Sequence, residues 1–101
     1  MTETCSDRRG IVTGAQYNLA VRYESGKGVS QDYAKAVKFF HQAAGGEHEE
    51  AQYSLGHIYL NGECGVDADA AEGLAWLTRS ARQGYARAQF ALGMIFLGIM
   101  P

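Results

Sequence analysis

The chain repeats itself with a period of about 36 residues, a length that fits a helix pair and commits the sequence to a stacked array. Ala15-Gln16-Tyr17, Leu19, Tyr23 and Gly26 return as Ala51-Gln52-Tyr53, Leu55, Tyr59 and Gly62, and begin again as Ala88-Gln89-Phe90, Leu92 and Phe96. The second half of the unit recurs too: Gly28-Val29, Asp32 and Ala34 match Gly65-Val66, Asp69 and Ala71, and Ala44 matches Ala81. Cys64 is inserted in the Gly-rich turn of the second copy, where an extra residue leaves the flanking helices in register.

Composition narrows the choice further. Of 101 residues, 47% are hydrophobic, too many for a chain disordered by default, and a single proline with no run of β-branched alternation argues against a sheet. A net charge of −2 with scattered Lys and Arg gives no basic face for nucleic acid. No apolar run reaches the roughly 18 residues of a membrane span, and the polar stretch 1–14 is no secretory leader, so the expected location is the cytoplasm. Cys5 and Cys64 share no local spacing that encodes a bridge, so free thiols are expected while pairing stays geometrically open.

Within each unit the apolar residues change phase once, which predicts two helices back to back. Ala15, Leu19 and Tyr23 recur at helical spacing beside Tyr17 and Val21, and Ser25-Gly26-Lys27-Gly28 ends that helix because glycine accepts the left-handed conformation. Ser30 or Asp67 is a candidate cap for the next helix, with Asp32 and Asp69 in its first turn. Tyr33, Ala36, Val37, Phe40, Ala43 and Ala44 form the stripe of the second helix, matched by Ala70, Gly73, Leu74, Leu77 and Ala81. Helices are predicted over 14–25, 31–45, 49–61, 68–82 and 86–98, with small residues letting them approach while Phe39, Phe40 or Trp76 fills the remaining space.

The combined string Ala-Gln-Tyr-x-Leu-x-x-x-Tyr, Gly-x-Gly-Val, Asp-x-x-x-Ala, an aromatic pair and Ala-Ala resembles the Sel-1-like repeat, a relative of the tetratricopeptide repeat, over residues 14–98. The resemblance implies an all-α, right-handed α-solenoid of about two and a half stacked helix-turn-helix repeats, near 14–49, 50–86 and a partial 87–101, preceded by a flexible tail over 1–13. Three features depart from the pattern. Ala20 stands where Gly56 and Gly93 keep glycine; Glu47 stands where Gly84 does, with Gly45 and Gly46 close enough to serve; and the third unit reaches only Gly98-Ile99-Met100-Pro101.

The chain offers little for catalysis or metal binding. Glu47-His48-Glu49-Glu50 with His41 and His57 is the one cluster of ligand-type residues, but Glu49 and Glu50 suit a helix start, His41 reads as solvent-facing, and no two histidines have the i, i+4 spacing of a helical zinc site. No serine is followed three residues on by lysine, as a penicillin-binding serine site would require, and Gly26-Lys27-Gly28 is too short for a phosphate loop. No enzyme, cofactor or metal is expected.

A binding module needs only a surface, and the resemblance implies that the first helices line a concave groove for a protein or peptide. Their positions outside the intra-repeat core form ladders: Tyr17, Tyr53 and Phe90; Val21, His57 and Met94; Glu24, Leu60 and Leu97. Glu50 and Arg87 stand at the starts of two of these helices and Asn61 at an end. These are the candidate binding residues, His57, Leu60, Asn61 and Met94 foremost because their positions vary between copies while Leu19, Leu55 and Leu92 do not. The aromatic ladder equally fits packing between units. The apolar end from Leu92 through Ile95, Phe96, Ile99 and Met100 adds an expected self-association surface over 88–100, or the seam to more solenoid.

Overall fold

The computed structural model describes the backbone of residues 2–97 and the side chains of 11–97. Five helices follow in order, α1 (Thr2–Ser25), α2 (Tyr33–Gly45), α3 (Glu49–Asn61), α4 (Ala70–Arg82) and α5 (Ala86–Phe96), with no strand among the described residues. Each packs on the next in sequence, and the 18 Å short dimension of the molecule is that of two helix layers. None of the described helices is long and apolar enough to cross a membrane.

The boundaries differ from expectation at two kinds of place. Helix α1 starts at Thr2 rather than 14 and takes in the segment expected as a tail. No proline interrupts residues 2–13, and adding a residue to a helix already nucleated costs little. Thr13 is buried there, so close to Gly46 at the end of α2 that a Cβ on Gly46 would lie 2.4 Å from its methyl carbon. The second-type helices start two residues late, at Tyr33 and Ala70, because Asp32 and Asp69 are themselves the caps. Their carboxylates accept from the Lys35 and Glu72 backbone N–H groups at 3.1 Å, so neither Ser30 nor Asp67 is needed.

One glycine expectation is corrected, and the structure accommodates the other departure. Glu47 itself takes the left-handed conformation at φ 71°, as Gly84 does at 90°, and its cost is carried by Glu47 N–H and His48 N–H donating to the Ala44 and Ala43 carbonyls. Ala20, in place of glycine, is fully buried against the cluster that contains Ala36, so the first hairpin crosses alanine against alanine. The second crosses at Gly56 and Gly73, whose added Cβ atoms would meet Leu77 Cγ at 2.6 Å and the Gly56 carbonyl oxygen at 2.8 Å.

The main core joins α1, α2 and α3 through Ala20, Ala36, Phe40, Ala43, Ala44, Ala51, Leu55 and Ile58. A smaller one joins α3, α4 and α5 around Leu77, Ala88 and Ala91, with Leu60 and Leu92 packed against it. Leu19, expected in the core with Leu55 and Leu92, is 38% exposed. Leu55 and Leu92 are covered by the second-type helix of the unit before, α2 or α4, and no helix precedes α1 among the described residues.

Candidate functional site

The aromatic ladder is built by neighbours. Tyr17 is covered by His48, the residue that opens α3, ring on ring at 4.9 Å, and Tyr53 by Tyr85, which opens α5, edge to face at 5.4 Å. Phe90 is the third rung, and with no unit after α5 among the described residues it stays 69% exposed. Burial, and after it the Glu50 carboxylate, pushes both the Tyr17 and Tyr85 hydroxyls above the ordinary phenol range, while the Arg87 guanidinium pulls the other way.

Five of the candidate residues therefore share one neighbourhood: Tyr17, Glu50, Tyr53, Arg87 and Phe90. Between α3 and α5 it opens into a hollow of about 510 Å³ lined by Tyr53, Ala86, Arg87, Phe90 and Ala91. His57 adjoins it, edge-on to Tyr53 at 4.6 Å, and Met94 is half-buried on the same helix as Phe90. The arrangement offers aromatic faces, aliphatic floor and one charge of each sign.

The other candidates lie elsewhere. Val21 lines a separate hollow of about 620 Å³ with Asn18, Arg22, Lys27 and Gly28. Glu24 faces the second turn, where its carboxylate accepts from Cys64 Sγ at 3.5 Å. Burial, and then that same carboxylate, raises the Cys64 thiol to about 11, so it stays protonated and free. The Cys5 side chain lies outside the described residues, as do Ile99 and Met100. Leu60 packs into the second hairpin, where Gly73 leaves room for it, and Asn61 donates to Glu63 at 3.2 Å. Leu97 is 74% exposed beside Phe96.

Several residues that hold the face were missed from the sequence. Gln52, fully buried, donates from Nε2 to the Ala44 carbonyl at the end of α2 and accepts from Gln83 Nε2 at 2.8 Å; Gln89 makes the matching bond to Ala81. Its recurrence inside the Ala-Gln-Tyr string was the available signal. His48 caps α3, accepting from Ala51 N–H at 3.2 Å, in addition to covering Tyr17. His41 is corrected from a solvent-facing residue: it is half-buried, 2.8 Å from the Tyr59 hydroxyl and edge-on to Trp76, and burial lowers its pKa. The three histidines thus serve three different packing contacts.

Replacing Gln52 with Ala removes two hydrogen bonds and the fully buried side chain that makes them, and is expected to cost about 2 kcal/mol. The exposed Gln89→Ala change should cost about 0.5 kcal/mol. Urea unfolding checks the pair, and equal losses would deny Gln52 its role between units.

Stacked helix hairpins tied through a repeated glutamine define an α-solenoid of short repeats. The Sel1 repeat model matches residues 13–48, 49–85 and 86–99, and the chain belongs to the Sel1 repeat family. Such repeats typically serve as protein-interaction modules. Among curated proteins it is 34% identical over 68 residues to chitin synthase regulatory factor 3 of Schizosaccharomyces pombe, covering 67% of this chain and 7% of that one. It is 37% identical over 67 residues to protein SHC1 of Saccharomyces cerevisiae, covering 63% and 13%. The chain thus corresponds to a small part of these relatives. Among solved structures, a Sel1 repeat protein from Oxalobacter formigenes superposes with a TM-score of 0.78 at 33% identity, over 90% of this chain and 66% of that one. The protective antigen c5321 of uropathogenic Escherichia coli gives the same TM-score at 40% identity, over 85% and 18%.

Proposed function

We propose that the chain is a non-enzymatic interaction module that holds a protein or peptide on the face made by α1, α3 and α5. The observation that carries this reading is the convergence of Tyr53, Arg87 and Phe90 on one hollow, with Tyr17 and Glu50 in the same neighbourhood beyond its lining. Half-buried aromatic rings fixed by their neighbours present contact area at little entropic cost, the usual make-up of binding hot spots. The regulatory role named for the fission-yeast relative is of the same kind. A free Cys64 thiol suits the reducing cytoplasm as its compartment.

The test compares capture of proteins from the source organism by the chain, by a His57→Ala/Met94→Ala variant and by a Lys35→Ala/Lys38→Ala variant on α2. A partner held by the face is weakened by about 1 kcal/mol or more in the first variant and retained by the second, with melting temperatures nearly unchanged. Equal retention by all three removes the face from consideration, and a collapsed melting temperature in the first makes His57 and Met94 core residues.

A second reading is favoured by the exposure of Phe90, Phe96 and Leu97 at 69, 76 and 74%: self-association through α5. Sedimentation as a monomer at high micromolar concentration would exclude it.

A further inference from the structure

Arg87 is the one charged residue that lines the hollow between α3 and α5, where it sits beside Tyr53, Ala86, Phe90 and Ala91. It is exposed and makes no ion pair or hydrogen bond among the described residues, whereas Arg79 is paired with Glu47 at 2.9 Å and stacked over Trp76. Glu50, the acid whose charge reaches the same tyrosines, belongs to the start of α3 and is not part of the lining. The hollow is therefore apolar with a single unmatched guanidinium at its edge. A guanidinium beside a surface that excludes water binds a carboxylate better than one in open solvent, and its planar fork favours that ligand.

Resting on the interaction-module reading, we propose that this hollow takes an extended segment of the partner in which a bulky apolar side chain is followed directly by an acidic residue. The apolar side chain enters between Tyr53 and Phe90 above Ala91, and the carboxylate accepts from the Arg87 guanidinium. Glu50 then sets direction, since an acid placed toward α3 meets a like charge. Two contacts of different kinds, one apolar and one ionic, are both needed, so neither an acidic nor an apolar segment alone is a good ligand.

The probes are three fluorescein-labelled synthetic peptides with the centres Phe-Asp, Phe-Lys and Ala-Asp in a common Gly-Ser frame, titrated with the whole chain and with Arg87→Glu by fluorescence anisotropy. The variant is expected to fold, because a carboxylate in the first turn of a helix is favourable. The chain should bind Phe-Asp about tenfold more tightly than Phe-Lys, the size of one charge-assisted contact, and more tightly than Ala-Asp. Arg87→Glu should reverse the order of Phe-Asp and Phe-Lys. Equal binding of those two by the chain, an order unchanged in Arg87→Glu, or no binding of any peptide at millimolar protein overturns the proposal. Failure here while His57→Ala/Met94→Ala still loses a captured partner leaves the binding face intact and removes only this ligand chemistry. Failure of both experiments removes the face as well.

Discussion

Phe40→Ala is expected to lower the unfolding free energy by about 4 kcal/mol, in the range for emptying a large buried aromatic site. Phe40 is 1% exposed, lies in the cluster that joins α1, α2 and α3, and meets the Tyr17 ring edge-on at 5.9 Å. Five of the seven other buried residues of that cluster are alanines fixed on helix backbones, which have no side-chain ends to swing into the space, so the site collapses little and the cavity term stays large. A domain of this size has a total stability of roughly 5–15 kcal/mol, so one substitution removes a large share of it. Phe39, half-buried and stacked on Tyr23 at 5.8 Å, provides the comparison: Phe39→Ala should cost about half as much. Urea denaturation of both variants measures the difference, and a loss at Phe40 no greater than at Phe39 would contradict the core described above.

Gly73→Val is expected to cost about 3 kcal/mol, at the upper end for overpacking a filled interface. A Cβ at Gly73 would sit 2.8 Å from the Gly56 carbonyl oxygen and 3.0 Å from the Leu60 backbone nitrogen. Both are backbone atoms, so only separating α3 from α4 relieves the contact, and that separation also uncovers Leu77 and Leu60. Gly93 occupies the same register as Gly56 in the next unit, yet nothing lies within 4 Å of the Cβ it would carry. Gly93→Ala is therefore expected to stabilise the chain by about 0.5–1 kcal/mol through helix propensity. Thermal melts of the two variants should move in opposite directions; a shared direction would mean that propensity, rather than the helix crossing, governs these glycines.

The number of helices, their order and their pairing were legible from the sequence because a period of about 36 residues containing one change of phase leaves little other choice. Starts were less legible where two polar residues compete for the cap, as Ser30 and Asp32 do, since the winner depends on where the hairpin crossing fixes the first turn. The candidate face was read in part. Tyr17, Tyr53 and Phe90 were placed on one ladder by register, but register alone does not reveal what lies over a rung. The covering residues, His48 and Tyr85, are of different types, so nothing recurred to mark them. The contacts of Leu60 and Glu24 were not legible for a related reason: their partners, Gly73 and Cys64, come from the neighbouring helix and from the one inserted turn residue.

The covering of Tyr17 by His48 and of Tyr53 by Tyr85 means that no unit owns its surface outright. Each rung is like a letter whose sound depends on the letter after it. Shuffling, adding or deleting a unit would respell the chemistry of the unit before it without changing any residue there, turning an open Phe into a lidded one or a capped Tyr into a bare one. A partner-binding surface of this kind diversifies through the order of its parts as well as through their composition.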